Sequence, residues 1–185
     1  MDSYIDIKII PDDKMSQNVL LNEVFTKLHK TLYDLSANDI GVSFPGHKVI
    51  LGDTLRIHGK MNRIKELQEI KWLGALSGNC KQSDILEVPL LNNHGYQKIY
   101  RVQQNKTNAK LRRLIKRGFI ADESINEYKQ NMLKEGLVEP YLELRSASNG
   151  HKYRCYIRFG KIEKHLTLGD FDAFGLSNVA TVPIF

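Results

Sequence analysis

The sequence predicts an α+β fold in two parts, a ferredoxin-like N-terminal domain over residues 1–93 and a smaller α+β C-terminal domain over residues 94–185. Apolar residues in the first part recur in the order strand, helix, strand, strand, helix, strand. In this βαββαβ plan a four-stranded antiparallel sheet carries two helices on one face. Asn and Gly residues within positions 90–95 predict a linker, and Asn149-Gly150 is a strong hairpin signal in the second part.

The first strand and the first helix are predicted from two different periodicities. Ile5, Ile7 and Ile9 alternate with more polar residues, which predicts a strand whose isoleucines face the core and which ends before Pro11. A helix is predicted over residues 16–35, because its apolar residues form one stripe at helical spacing. The residues of this stripe are Leu21, Phe25, Leu28, Leu32 and Leu35.

Three strands and one helix complete the first part. The strands are predicted over residues 40–44, 51–58 and 85–88, and the helix over residues 62–76. The apolar residues of this helix are Ile64, Leu67, Ile70 and Leu73. Many RNA-binding proteins share the βαββαβ plan, but so do many other proteins, so the plan alone does not name a function.

Residues 98–117 form a strongly basic stretch with eight Lys or Arg residues and no acid. The formal net charge of the whole chain is +6, so positive charge is concentrated here and the rest of the chain is slightly acidic. A local concentration of positive charge indicates a polyanionic partner such as a nucleic acid.

A short amphipathic helix is predicted inside the basic stretch. Asn108 suits an N-cap, and Gly118 suits a helix end. The docked side of the helix would carry Leu111, Leu114 and Ile115, and the opposite side would carry Arg112, Arg113, Lys116 and Arg117. The alternative interpretation is a solvated helix face, although solvated faces usually alternate in the sign of their charges.

The sequence of the second part also predicts a helix over residues 122–133 and a β-hairpin. The hairpin strands would span residues 141–145 and 152–159, joined by residues 146–150. One face of the second strand is apolar, and its other face carries Lys152, Arg154, Tyr156 and Arg158. Arginines beside an exposed aromatic ring can hold phosphates and stack bases, although an ordinary half-exposed strand has the same pattern. One or two short strands are expected in the C-terminal tail.

Composition argues against several classes of protein. Cys80 and Cys155 are too few for a disulfide scaffold or a zinc site, and the six histidines show no metal-ligand spacing, so no metal and no cofactor are expected. No apolar run approaches the ~20 residues of a membrane-spanning helix, so a cytoplasmic protein is expected. His29 lies at the edge of the buried stripe of the first helix, where a histidine is more often structural than catalytic.

Nine segments carry a resemblance that extends, in order and in register, over nearly the whole chain. They are MDSYIDIKIIPD (1–12), FTKLHKTL (25–32), GVSFP (41–45), LGDTLRIH (51–58), RVQ (101–103), LRRLIKR (111–117), LRSASNG (144–150), YRCYIRFG (153–160) and FGLSNVATVPIF (174–185). Together they resemble the family of CRISPR subtype I-F repeat-processing endoribonucleases. No single segment is decisive, and their common order makes the match specific.

The resemblance implies a protein whose C-terminal domain grips an RNA hairpin with its arginine-rich helix. The family cleaves precursor CRISPR RNA at the base of each repeat hairpin without a metal. A ribose 2′-hydroxyl attacks the adjacent phosphate, which yields a 5′-hydroxyl and a 2′,3′-cyclic phosphate. The enzyme then stays on the hairpin in the effector complex (Cascade), where the backbone subunit would be a partner.

The resemblance also implies a catalytic set. His29 matches the catalytic histidine, which takes the proton of the 2′-hydroxyl, and imidazole suits that task near neutral pH. Ser146 matches the serine that holds the attacking hydroxyl, and Ser148 matches a second serine near the scissile phosphate. Alignment of the attacking group can supply several kcal/mol of barrier reduction.

RNA-binding positions follow in the same way. Arg101 and Gln103 match residues that read bases at the foot of the stem, for which arginine–guanine and glutamine–adenine are the usual pairings. Tyr153 matches an aromatic residue that stacks under the closing base, although the strand pattern puts it on the apolar face. The cationic helix face, Arg112, Arg113, Lys116 and Arg117, matches the helix that enters the RNA groove, and Arg154 is added from the exposed strand face.

Two positions depart from the family pattern. Phe174 stands where the family has a tyrosine whose hydroxyl helps to position the histidine, and Asn149 replaces a threonine. Phe174 is therefore not counted as catalytic. Two alternatives follow: a subunit that caps the RNA hairpin with a weak or silent active site, or an unrelated ferredoxin-like nucleic-acid binder.

Overall fold

Two antiparallel sheets that share one hydrophobic core form the framework of the protein in a computed structural model. The structure describes residues 1–89, 94–102, 108–134, 138–146 and 150–185. Among these residues, no helix is both long enough and apolar enough to cross a membrane.

The first sheet has the predicted ferredoxin-like arrangement. Its strands are β1 (Ser3–Ile9), β2 (Gly41–Ser43), β3 (Thr54–Gly59), β4 (Cys80–Gln82) and β5 (Leu86–Glu87). The order across the sheet is β2-β3-β1-β4, and β5 also pairs with β1. The helices α1 (Gln17–Asp34) and α2 (Met61–Glu69) both contact β1. The three isoleucines of β1 are buried, as their alternation predicts.

Two short strands, β4 and β5, occur where the sequence analysis predicts one. The strand predicted over residues 85–88 corresponds to β5, and β4 is not predicted. The edge position of β4 leaves Lys81 and Gln82 exposed, so this strand shows no apolar alternation that could reveal it.

The second helix is shorter than predicted. It ends at Glu69 instead of residue 76, because Lys71 adopts a left-handed conformation with φ 51° and a 3-10 helix follows over Gly74–Asn79. Of the four residues expected to face inward, Ile70 is exposed, and Ile64, Leu67 and Leu73 are buried.

The second sheet contains β6 (Gly95–Val102), β7 (Tyr141–Arg145), β8 (Lys152–Glu163) and β9 (Val182–Ile184), in the order β7-β8-β6-β9. The predicted hairpin is confirmed as β7 and β8, and β9 is one of the short strands expected in the tail. The sequence analysis misses β6. Its inner side includes Gln97, which is buried and donates a hydrogen bond to the Gly160 carbonyl at 2.7 Å, and this polar residue interrupts the apolar pattern.

In the part of the chain between β6 and β7 that the structure describes, two α-helices occur. They are α3 (Asn108–Lys116) and α4 (Ile125–Lys134), and a 3-10 helix over Asp122–Ser124 precedes α4. Gly118 ends α3 as predicted, with φ 71°. Its amide and that of Phe119 donate to carbonyls in the last turn of the helix, which is a common C-terminal cap.

The segment between β8 and β9, called here the C-terminal segment, connects the two sheets. The Phe171 amide donates to the Asn38 carbonyl and the Val42 amide donates to the Gly175 carbonyl, both at 2.9 Å. Gly175 has φ 70°, and a Cβ there would lie 2.8 Å from Val42 Cγ1, so this close approach requires glycine. The segment is thereby held against the first sheet beside α1.

Aromatic rings fill the space between the two sheets. Phe44, after β2, lies 6.2 Å from Phe25 of α1 and 6.4 Å from Phe159 of β8, measured between ring centroids. Residues of both sheets belong to the same buried cluster. The division into domains at residues 93 and 94 stays a prediction, because residues 90–93 lie outside the described part of the chain.

Candidate functional site

His29 is half-buried on α1 and is held by the C-terminal segment. Its Nδ1 lies 2.9 Å from the Ala173 carbonyl oxygen. A carbonyl oxygen only accepts hydrogen bonds, so this contact requires the proton on Nδ1. In the neutral ring Nε2 then carries the lone pair, which makes Nε2 the atom that can accept a proton.

Phe174 fixes the plane of the His29 ring. The two rings are stacked, with centroids 3.7 Å apart and an angle of 6° between their planes. The ring of Phe25 lies 6.1 Å from the Phe174 ring, between centroids, and is nearly parallel to it. The sequence analysis leaves Phe174 out of the catalytic set because it lacks a hydroxyl group. The contact uses the face of the ring, which phenylalanine keeps.

A short turn holds Ala173 and Phe174 in place. Asp172 Oδ1 accepts hydrogen bonds from the amides of Phe174, at 2.9 Å, and Leu176, at 3.0 Å. The Gly175 amide donates to the Asp172 carbonyl at 2.8 Å. The carboxylate therefore fixes the turn that presents both contacts to His29.

Arg101 lies beside the same turn. It is exposed near the end of β6, and its guanidinium carbon lies 5.6 Å from the centroid of the Phe174 ring. In the sheet register Arg101 is opposite Ile157 of β8. His29 and Arg101, predicted from distant segments, therefore both contact Phe174.

Tyr153 is half-buried on the inner face of β8 and packs against the core. Burial raises the pKa of its hydroxyl, and the nearby charge of Arg101 acts in the opposite direction. Burial likewise raises the pKa of the Cys155 thiol to about 11, so this cysteine is a structural thiol. Tyr153 adjoins Arg101, and its predicted stacking on a base stays a prediction.

Ser146 follows β7 at the end of the hairpin. Its amide donates to the His151 carbonyl at 2.9 Å, and the Gly150 amide donates to the Ser146 carbonyl at 2.8 Å. Leu144 pairs with Tyr153, and residues two apart on a strand share a face, so continuation of the strand would put Ser146 on the Tyr153 side.

Strand β7 lies beside α1. The Glu143 amide donates to Asn22 Oδ1 at 3.1 Å, and residues near the beginnings of both elements line one cavity. The convergence of His29 and Ser146 on one ribose stays a prediction.

Two predicted site residues, Gln103 and Ser148, lie outside the described residues, as does Asn149. Their roles stay predictions.

The helix α3 has the predicted two-sided character. Leu111 is buried, and Leu114 and Ile115 are half-buried. All four cations of the opposite face are exposed: Arg112, Arg113, Lys116 and Arg117. The cationic face is therefore accessible from solvent.

The outer face of β8 is less cationic than its sequence suggests. Arg158 forms an ion pair with Glu139, and Arg154 lies 3.7 Å from a Glu143 oxygen and 4.5 Å from the centroid of the Tyr141 ring. These carboxylates neutralise the positive charge that was expected to hold phosphates. The contacts therefore favour the alternative interpretation, in which β8 is an ordinary half-exposed strand. The RNA contact of Arg154 stays a prediction and requires the Glu143 pair to open.

Among the described residues, no three His, Cys, Asp or Glu side chains cluster as metal ligands. His29 contacts an aromatic ring and a backbone carbonyl, and an exposed guanidinium lies near the same aromatic ring. Such a set can accept a proton at Nε2 and attract a phosphate.

Comparison with known proteins places these features in a family context. Residues 4–185 match the family model described as "CRISPR-associated protein (Cas_Csy4)". The chain is 33% identical to a protein of Escherichia coli (strain UTI89 / UPEC) over 186 residues and 32% identical to one of Pseudomonas aeruginosa (strain UCBPP-PA14) over 189 residues. Both alignments cover 100% of each chain, and both relatives are named "CRISPR-associated endonuclease Cas6/Csy4".

Proposed function

The chain belongs to the Cas_Csy4 family of CRISPR-associated proteins, and from this premise we propose that it is an endoribonuclease that cleaves CRISPR repeat RNA at the foot of a hairpin. The observation that carries the proposal is a fixed imidazole stacked on a ring that an exposed arginine also contacts. The Nδ1 proton of His29 is donated to the Ala173 carbonyl, which leaves Nε2 as the acceptor, and Arg101 lies 5.6 Å from the centroid of the Phe174 ring.

In the proposed reaction the nucleophile belongs to the RNA. Nε2 of His29 takes the proton of a 2′-hydroxyl, and the 2′ oxygen attacks the adjacent phosphorus. The bond from phosphorus to the 5′ oxygen breaks, and that oxygen leaves with a proton as a 5′-hydroxyl. The other product ends in a 2′,3′-cyclic phosphate. Because the RNA provides its own nucleophile, the reaction needs no metal-activated water.

Positioning supplies the rest of the proposed catalysis. Phe174 and Ala173 prevent rotation of the imidazole, and Ser146 holds the attacking hydroxyl from the hairpin side. Ser148 is assigned to the scissile phosphate. An aligned attack within one molecule can lower the barrier by about 7–11 kcal/mol at best, so small displacements of these groups matter.

The cationic face of α3 is proposed to bind the phosphates of the stem. Arg101 and Gln103 are assigned to bases at its foot, and Tyr153 to stacking under the closing base pair. The product hairpin would remain bound, and the protein would join the type I-F effector complex through contact with its backbone subunit.

A second candidate function is supported by Phe174. If the missing hydroxyl is essential for catalysis, the protein would cap the RNA hairpin without cutting it. Hairpin binding without cleavage by the wild-type protein would favour this alternative.

The test uses the repeat hairpin identified by sequencing RNA that copurifies with the chain. Cleavage in excess EDTA should be lost when the nucleotide before the cut lacks its 2′-hydroxyl. His29→Ala should reduce the single-turnover rate by at least about a hundredfold, as for loss of a general base. Cleavage that requires a divalent ion, or that survives His29→Ala, would contradict the proposal.

His47→Ala is a matched control. Its Nδ1 also lies 2.9 Å from a backbone carbonyl oxygen, that of Phe44, and its ring also stacks at 3.7 Å on a phenylalanine, Phe159. His47 is not adjacent to the Phe174 turn, so the control variant should cleave at the wild-type rate.

A further inference from the structure

A polar cleft adjoins the turn that holds His29. It has a volume of about 240 Å³ and is lined by Tyr100, Arg101, Asp172, Leu176, Ser177 and Asn178. This volume is below the ~300–1,000 Å³ of typical sites for drug-sized ligands, so the cleft suits a single small ring system.

The cleft and the proposed catalytic base share one structural unit. Ala173 and Phe174 contact His29, while Asp172 and Leu176, on either side of them in the chain, line the cleft. Arg101 lines the cleft and also contacts the Phe174 ring. A group bound here would therefore contact the same turn that holds His29.

Asp172 presents a preset acceptor to the cleft. Its Oδ1 is held by the amides of Phe174 and Leu176, which fixes the orientation of the carboxylate. Among the described residues, no hydrogen-bond partner is found for its second oxygen. A fixed carboxylate oxygen selects a ligand that offers N–H groups.

Some of the other polar groups that line the cleft already have hydrogen-bond partners within the protein, and others can bind a ligand. The Ser177 hydroxyl donates to the Asp170 carbonyl at 2.7 Å and accepts from two backbone amides, so it is occupied. The Asn178 carboxamide is exposed and has no hydrogen-bond partner in the described part of the chain. Arg101 forms no ion pair with a described carboxylate. The cleft thus offers donors beside an acceptor.

We propose that this cleft binds the base of an unpaired nucleotide next to the cleavage point and prefers guanine through Asp172 and Asn178. On the edge of guanine, the N1–H and N2–H groups would donate to the free oxygen of Asp172. The O6 atom would accept from the Asn178 carboxamide. The other three bases present fewer adjacent N–H groups to the carboxylate. Proteins recognise RNA sequence mainly at such unpaired bases.

The inference rests on the proposed function, and its test separates the two. A library of repeat hairpins carries random unpaired nucleotides on both sides of the stem foot. Bound and cleaved molecules are sequenced separately. If the wild-type protein binds but never cleaves, the proposed function fails, while enrichment among bound molecules still tests the cleft.

Asp172→Asn is the decisive variant, because asparagine keeps one oxygen for the amides of Phe174 and Leu176 and replaces the free oxygen by an NH₂ donor. We expect the wild-type protein to prefer guanine at one flanking position by about tenfold to a hundredfold, as for one bidentate base contact. Asp172→Asn should lose this preference while its melting temperature and its preference for the stem sequence stay unchanged.

Asp170→Asn is the matched control, since Asp170 is a nearby exposed acid that pairs with Asn38 at 3.2 Å and does not line the cleft. It should keep the guanine preference. The inference is overturned if the wild-type protein shows no preference at any unpaired flanking position, or if Asp172→Asn leaves that preference intact.

Discussion

His29 and His47 have nearly the same local setting, with Nδ1 bonded to a carbonyl and the ring stacked on a phenylalanine. Local geometry therefore does not distinguish a catalytic histidine from a structural one. The difference lies in what adjoins each stacked pair. Phe174, unlike Phe159, is also contacted by an exposed arginine, Arg101.

The stack on Phe174 should act on the reaction more than on RNA binding. Phe174→Leu removes the ring face, and a stacked pair is worth about 0.5–1.5 kcal/mol, so the single-turnover cleavage rate should fall by about two- to tenfold. Phe174→Tyr should cleave at about the wild-type rate, because tyrosine keeps the ring. The hairpin dissociation constant should stay unchanged in both variants.

Phe159→Leu controls for loss of core packing, because it removes the corresponding stack on His47. It should lower the melting temperature without slowing cleavage by the folded protein. Equal slowing in the Phe159 and Phe174 variants would show that the Phe174 stack has no particular role in the reaction.

A third histidine, His58, couples stability to pH. It is fully buried, with Nε2 2.7 Å from Ser43 Oγ, and burial lowers its pKa to about 3. A histidine in the unfolded chain titrates near 6.5. Between these values the unfolded state binds a proton that the folded state does not. The contribution of His58 to the free energy of unfolding is therefore fully present above pH 6.5 and decreases as the pH falls toward 3.

At pH 5 the loss of stability from His58 should be about 2 kcal/mol relative to pH 7. Urea unfolding at both pH values measures it. His58→Gln should flatten the dependence, whereas His165→Gln, which changes an exposed histidine, should not. An unchanged slope in His58→Gln would assign the acid sensitivity to other groups.

At the scale of elements, α3 should contribute to binding mainly through charge. Arg112→Ala should weaken hairpin binding and reduce the slope of log affinity against log salt by about 0.7–0.9, the value for one phosphate contact. Lys8→Ala, on β1, removes a cation that pairs with Asp53 at 3.7 Å and should leave the slope unchanged. Equal slopes for the Arg112 variant and the wild-type protein would remove Arg112 from the RNA interface.

The elements also show what sequence periodicity can predict. The helices α1 and α3 and the hairpin strands have one-sided apolar patterns, and their existence and approximate extents were predictable. The central strand β6 was not, because the polar residues Gln97 and Arg101 alternate with its other residues in step with Ile99 and break the apolar pattern. Arg101 is also the residue of this strand that contacts Phe174 in the candidate site.

The candidate site was predictable only in part. Its histidine follows from the resemblance of short segments to one family, whereas its basic helix was predictable from local charge and helical periodicity. The Ala173 carbonyl, which sets the tautomer of His29, carries no side-chain signal. The neutralisation of Arg154 and Arg158 by Glu143 and Glu139 likewise depends on tertiary contacts that local patterns do not contain.

At the scale of the whole molecule, the candidate site is assembled from both halves. α1 supplies His29, the C-terminal segment supplies Phe174 and the second sheet supplies Arg101, and we propose that Ser146 at the end of the hairpin joins them. A row of rings crosses the shared core between the two stacked histidines: His29, Phe174, Phe25, Phe44, Phe159 and His47. Packing between the sheets thus determines whether the groups from the two halves can meet.

A double-mutant cycle on His29 and Ser146 tests this convergence most directly. Single-turnover cleavage of the repeat hairpin is measured in EDTA for the wild-type protein, His29→Ala, Ser146→Ala and the double variant. If both side chains act on the same 2′-hydroxyl, Ser146→Ala should slow the wild-type protein strongly and slow the His29→Ala protein little. Effects that multiply independently would contradict a shared site of action.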